Sequence, residues 1–139
     1  MTNTSILAID TSALLRRYVA DRQRPLVVNA MAEATHWAAS AIARSEVMLA
    51  LHHGATSGPT HSQAWDAVRD DWEAMWEIPV DGRALALAAD IGARYGIDLM
   101  RSLHLACASR LPEPIRFITF DSHQVPAAHA LGFEVVTPN

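Results

Sequence analysis

The sequence predicts an α/β domain with a parallel sheet covered by helices on both faces, and three observations predict it. Short apolar runs such as Ile6-Leu7-Ala8-Ile9 and Ile115-Arg116-Phe117-Ile118-Thr119-Phe120 are separated by longer segments of helical period. Strands spaced by helices pair in parallel, because each crossover helix packs back onto the sheet. Both runs also stop on a carboxylate, Asp10 in the first case and Asp121 in the second. Half of the 139 residues are apolar, enough for one core, so a single domain is expected over residues 1–139.

The first element is the strand ending at Asp10, followed by a helix over 12–20 that Thr11 and Ser12 can open. Asp10 then either caps that helix or presents its carboxylate at the carboxyl edge of the sheet, where ligands of open α/β folds bind. Asp21-Arg22-Gln23-Arg24-Pro25 reads as a turn, and Leu26, Val27, Ala30 and Met31 begin a second helical period. His36-Trp37-Ala38-Ala39-Ser40 is a short strand, and a helix over 42–53 closes at Gly54 before a loop to Gly58-Pro59. Trp65, Val68, Trp72, Met75 and Trp76 recur at helical spacing, as core, helix-pair seam or stacking platform. Glu77-Ile78-Pro79-Val80 reads as an edge strand, since proline is disfavoured in a central one. Helices follow over 83–95, with Gly96 as the C′ residue, and over 99–111, with Asp98 available as N-cap. After the strand ending at Asp121 come a short helix over 123–131 and a last strand, Phe133-Glu134-Val135-Val136.

Composition excludes several function classes. No apolar run approaches the ~20 residues of a membrane span, and no basic region followed by an apolar stretch opens the chain, so a cytoplasmic location is expected. A formal charge of −4 argues against broad electrostatic coating of nucleic acid, although Arg16, Arg17, Arg22 and Arg24 crowd one stretch. The single cysteine, Cys107, lies in an apolar helical pattern and reads as core. The seven histidines lack zinc-ligand spacing, glycine-rich phosphate loops are missing, and without any lysine a phosphorelay receiver is excluded.

Glu46 is the informative acid. Its helical neighbours Ile42, Ala43, Leu49 and Ala50 are all apolar, so the carboxylate falls on the side facing the core and requires a cation, a proton or a hydrogen-bonding partner. With Asp10 and Asp121 ending parallel strands, three carboxylates can converge at one sheet edge. A hard divalent cation relieves their repulsion, oxygen-only ligation favours Mg²⁺ or Mn²⁺, and metal-activated water attacking a phosphodiester is the natural chemistry.

Four short stretches, in this order, then carry a resemblance over nearly the whole chain: Ile9-Asp10-Thr11-Ser12-Ala13-Leu14, Ser45-Glu46-Val47, Leu103-His104-Leu105-Ala106 after Gly96, and Ile118-Thr119-Phe120-Asp121. The chain resembles PIN-domain proteins of the VapC type, the ribonuclease toxins of bacterial toxin–antitoxin pairs. The resemblance implies a PIN-like three-layer sandwich with a central, mainly parallel sheet, and an Mg²⁺- or Mn²⁺-dependent endoribonuclease acting on RNA. It implies catalytic and metal-binding roles for Asp10, Glu46 and Asp121, and a cognate antitoxin as partner. A homodimer is expected as well, its helical surface formed by Trp65, Trp72 and Trp76 on one stripe.

One position departs from the pattern. The family's late helix usually reads Asp-Ala-Leu-His-Leu-Ala, whereas here Arg101-Ser102 precedes Leu103-His104-Leu105-Ala106. Asp98, one turn earlier, is either a helix N-cap or a substitute metal ligand leaning in, and Arg101 can itself supply positive charge to the acids. The alternative function is therefore a catalytically weakened PIN protein retained for antitoxin binding or self-association. His104 is expected to be packed and not ligating.

Overall fold

The computed structural model describes residues 4–54 and 58–138. Its centre is β1 (Ile6–Ile9), every residue of which is buried. That strand pairs in parallel with β2 (His36–Ser40) on one side and β4 (Ile115–Ile118) on the other. β3 (Met75–Ile78) and β5 (Glu134–Val136) form the two edges, giving the all-parallel order β3-β2-β1-β4-β5. The continuous apolar run of β1 follows from this central place, since both its faces are covered.

The strand pleat sorts side chains between two cores. Leu7 and Ile9 of β1 and Ile118 of β4 pack with α1 (Thr11–Tyr18), α2 (Arg24–Glu33), α3 (Ala41–His52) and α4 (Gly58–Ala74). Ala8, Ile115 and Phe117 face the opposite way, onto α5 (Gly82–Tyr95), α6 (Leu99–Ala108) and α7 (Val125–Ala130). The result is the helix–sheet–helix arrangement that the PIN resemblance implies.

Several boundaries differ from the sequence expectation, each for a local reason. β4 ends at Ile118 and not at Phe120: the Thr119 N–H still reaches Val136 O, but the Phe120 N–H bonds to Ser12 Oγ and not to a neighbouring strand. α1 stops at Tyr18, where Val19 is already extended. α2 begins at Arg24, inside the expected turn, with Pro25 in its first turn, where proline's missing N–H costs nothing. α6 closes at Ala108, and Arg110 and Leu111 then make tighter turn bonds to Cys107 O and Ala108 O. α7 spans only Val125–Ala130. The loop expected from Gly54 to Gly58-Pro59 includes residues 55–57, which lie outside the described residues, and Gly58 and Pro59 themselves open α4.

The largest correction concerns β3. Met75 and Trp76 belong to the strand, not to the preceding helix, and Pro79 lies just past the strand end. Pairing Trp37↔Met75 through Ser40↔Ile78 makes Met75 and Ile78 the buried residues of the strand. Trp76 consequently leaves the stripe, while Trp65 and Trp72 remain on one face of α4, turned to the core and not to a partner. Trp72 is 9% exposed in the core, Trp65 packs against that core, and Trp76 is 42% exposed and lies against His36 with ring centroids 4.5 Å apart. No helix among the described residues is long and apolar enough to cross a membrane.

Candidate active site

The carboxyl ends of β1, β2 and β4, the N-terminus of α1 and the first two turns of α3 and α6 meet at one edge of the sheet. There they enclose an open cleft of about 310 Å³ lined by Asp10, Glu46, Asp98, Arg101, His104 and Asp121 among others. The topology explains the convergence, because in a parallel sheet all strands end on the same side.

Asp10 both caps α1 and lines the cleft. Its Oδ2 accepts from the Ser12 N–H at 3.3 Å, capping α1, and its carboxylate is 4% exposed at the floor of the cleft. A carboxylate that deep needs donors. Ser12 Oγ donates to Oδ2 at 2.5 Å, Thr119 Oγ1 stands 3.0 Å from the same oxygen, and Gln124 Nε2 reaches Oδ1 at 3.5 Å. Thr119 Oγ1 is also 2.7 Å from Gln124 Oε1, so its one proton serves Asp10 or Gln124 but not both. Sequence reading missed this ring of Ser12, Thr119 and Gln124. Ser12 looked like a helix cap, and nothing in the pattern marks Gln124, 1% exposed, as buried.

Glu46 projects from α3 with its side chain one-third exposed, at the rim and not in the core. Its Oε1 accepts from Thr11 Oγ1 at 2.5 Å and lies 2.8 Å from His104 Nε2. Burial disfavours the charged form, but the bonds from His104 and Thr11 outweigh it and hold the carboxyl below its ordinary range. His104, on α6, is buried as expected and is also a polar partner: Nδ1 lies 3.2 Å from Ser40 Oγ, and Nε2 lies 3.7 Å from Asp10 Oδ1. Burial lowers the imidazolium's stability, yet the bond to Glu46 and the charges of Asp10 and Glu46 raise its pKa above the ordinary value.

Asp121 lies in the β4–α7 connection, beyond the strand end. Its Oδ2 accepts from Arg101 Nε, and its Oδ1 accepts from the His123 N–H at 3.0 Å. Partial burial opposes ionisation, but Arg101 and His123 hold this carboxyl low. Asp98 lines the same cleft and caps α6 through a 2.9 Å bond from the Arg101 N–H, while its Oδ2 accepts from Arg101 Nη1 at 2.8 Å. Arg101 thus stands between two of the acids.

The donor set bears on whether a divalent ion fits. Asp10, Glu46 and Asp121 are hard oxygen donors facing one cleft, the right chemistry for Mg²⁺ or Mn²⁺. Among the described residues, however, no group of three or more His, Cys, Asp or Glu is arranged to hold an ion. Arg101 engages Asp121, and His104 and Thr11 engage Glu46 Oε1, so the side chains as arranged do not fit a divalent ion.

Comparisons with known proteins agree with this architecture. A chain of a toxin–antitoxin complex from Klebsiella pneumoniae aligns with a TM-score of 0.68 at 19% identity, covering 98% of both chains. A chain of VapBC-5 from Mycobacterium tuberculosis, a member of the VapBC family of toxin–antitoxin systems, aligns at 0.62 and 19%, covering 99% of this chain and 100% of that one. A chain of FitAcB from Neisseria gonorrhoeae aligns at 0.67 and 18%, covering 96% of each. At such identities the likeness is one of fold, and no curated protein sequence matches. The PIN domain pattern itself matches residues 7–130, through the strand ending at Asp10, the helix of Glu46 and the connection carrying Asp121, and by that match the chain belongs to the PIN domain family.

Proposed function

We propose that this chain is the toxin half of a toxin–antitoxin pair of the VapC type, a PIN protein whose acid cleft takes RNA phosphodiesters and whose partner is a cognate antitoxin. The observation that carries the reading is the meeting of Asp10, Glu46 and Asp121 in one cleft at the carboxyl edge of a PIN sheet. The likeness of fold to chains from two toxin–antitoxin structures supports it. A homodimer working in the cytoplasm as a single domain belongs to the same reading.

The reading takes two forms, a vigorous Mg²⁺- or Mn²⁺-dependent endoribonuclease and a weakened one. The placement of Arg101 on Asp121 favours the weakened form, because the acid expected to serve a metal is already neutralised. RNA cleavage with and without Mn²⁺, beside Asp10→Asn, tests the proposal. Slow cleavage lost in Asp10→Asn is expected, and cleavage that survives Asp10→Asn would remove this cleft as the site.

A further inference from the structure

All four carboxylate oxygens of Asp98 and Asp121 already have donors from this chain. Arg101 supplies three of them: its N–H to Asp98 Oδ1, Nη1 to Asp98 Oδ2 and Nε to Asp121 Oδ2. His123 N–H supplies the fourth, to Asp121 Oδ1. The main chain beneath Arg101 is also pinned, since its carbonyl accepts from Gln124 Nε2 at 3.1 Å and Gln124 is buried. A guanidinium keeps its charge at any pH the fold survives, and its planar fork can hold two carboxylates from different segments at once. Here those segments are the cap of α6 and the β4–α7 connection.

We infer that Arg101 is the resident counter-cation of this acid cluster, a tethered guanidinium that meets the charge demand of Asp98 and Asp121 and keeps a divalent ion out. The inference deepens the toxin reading and rests on it only in treating the acid cleft as the functional site. A dication entering beside Asp10 and Glu46 meets a fixed like charge, and it gains Asp121 only by displacing that charge. Exchanging Arg101 for an acid alters the site by two charge units and frees Asp121. Water and salt screen much of that charge change at a partly exposed guanidinium, and the expected affinity gain for a dication is about 100-fold.

The test compares Mn²⁺ binding by calorimetry, and melting in chelator and in Mn²⁺, for the wild type, Arg101→Asp and Arg101→Gln, with RNA cleavage measured alongside. The wild type should bind Mn²⁺ no tighter than roughly millimolar and melt at the same temperature in both buffers. Arg101→Asp should bind about 100-fold tighter, melt lower in chelator because five carboxylates then crowd the cleft, and recover with Mn²⁺. Arg101→Gln removes the charge while retaining chain length, and it should show a smaller gain in the same direction even if Arg101→Asp fails to fold. Micromolar Mn²⁺ binding by the wild type, or folded variants that bind no tighter than it does, would overturn the inference. The two readings fail separately. Tight Mn²⁺ binding with brisk RNA cleavage by the wild type removes the counter-cation and leaves the ribonuclease. A gain of Mn²⁺ affinity in the variants, with no form cleaving RNA, leaves the counter-cation and removes the ribonuclease.

Discussion

His104 Nε2 lies 2.8 Å from Glu46 Oε1, and the other ring nitrogen of His104 lies 3.2 Å from Ser40 Oγ, so one imidazole ties α6 to both α3 and the end of β2. With its pKa raised above 6.5, His104 contributes stability that is full below 6.5 and fades as pH rises through the higher folded value. Glu46, held below 4.5, contributes stability that is full above 4.5 and lost as pH falls through the lower folded value. The pair therefore stabilises most between those two ordinary values. Glu46→Gln should cost about 1–2 kcal/mol near pH 5.5 and clearly less at pH 8.5. Urea melts of both proteins across that range measure it, and a pH-independent difference would exclude a charged pair.

Ser12 joins the two strand ends that carry the acids. Its Oγ donates to Asp10 Oδ2 and accepts from the Phe120 N–H at 2.9 Å, linking α1 to the segment leaving β4. Ser12→Ala leaves the Phe120 N–H without that acceptor and removes a donor from a buried carboxylate. A loss of about 1–3 kcal/mol is expected. Ser12→Thr, which restores the hydroxyl, should recover part of the lost melting temperature, and Ser12→Ala at wild-type stability would show that water replaces the bond.

What the sequence made legible was the set of apolar runs and the acids that punctuate them. Asp10 and Glu46 line one cleft because β1 is buried on both faces and α3 starts from the neighbouring strand. The register of β3 was not legible, because Met75 and Trp76 fit a helical period as well as a strand, and only pairing with Trp37 and Ala38 decides between them. Arg101 as an odd residue was legible. Its choice of Asp98 and Asp121 was not, since that depends on the β4–α7 connection passing over the first turn of α6. The Thr119–Gln124 contact beneath Asp10 was equally hidden, because polar residues next to a strand end look the same whether buried or exposed.

Gly92 sets how closely α5 approaches the segment leading into α6. A Cβ there would stand 3.0 Å from both Ile97 O and Ser102 Oγ. Serine can rotate, but the Ile97 backbone is held by its own N–H bond to Gly92 O, at 3.3 Å. The ~1 kcal/mol that alanine gains over glycine in a helix is then offset by overpacking of typically 1–3 kcal/mol. Gly92→Ala should lower stability in thermal or urea melts and shift the first turn of α6, where Asp98 and Arg101 sit. A stabilised Gly92→Ala would mean that the helix pair can separate without loss.

Asp98 combines two tasks that substitution can separate. As N-cap it accepts from the Arg101 N–H at 2.9 Å, and as an ion-pair partner it receives Arg101 Nη1 at 2.8 Å. Asparagine caps a helix about as well as aspartate, whereas alanine loses about 1 kcal/mol at such a position. An exposed ion pair stabilises little, and the Asp98 side chain is 57% exposed. Asp98→Asn should therefore melt close to the wild type, and Asp98→Ala about 1 kcal/mol lower. Both substitutions remove the carboxylate that holds Nη1, leaving Arg101 attached through Nε to Asp121 alone. The Arg101 side chain should become more mobile in both variants by the same amount, seen as faster exchange of its Nε–H in nuclear magnetic resonance. Equal stability loss in the two variants would place the stabilisation in the charge of Asp98, while unchanged Nε–H exchange would show that Asp121 alone fixes the guanidinium.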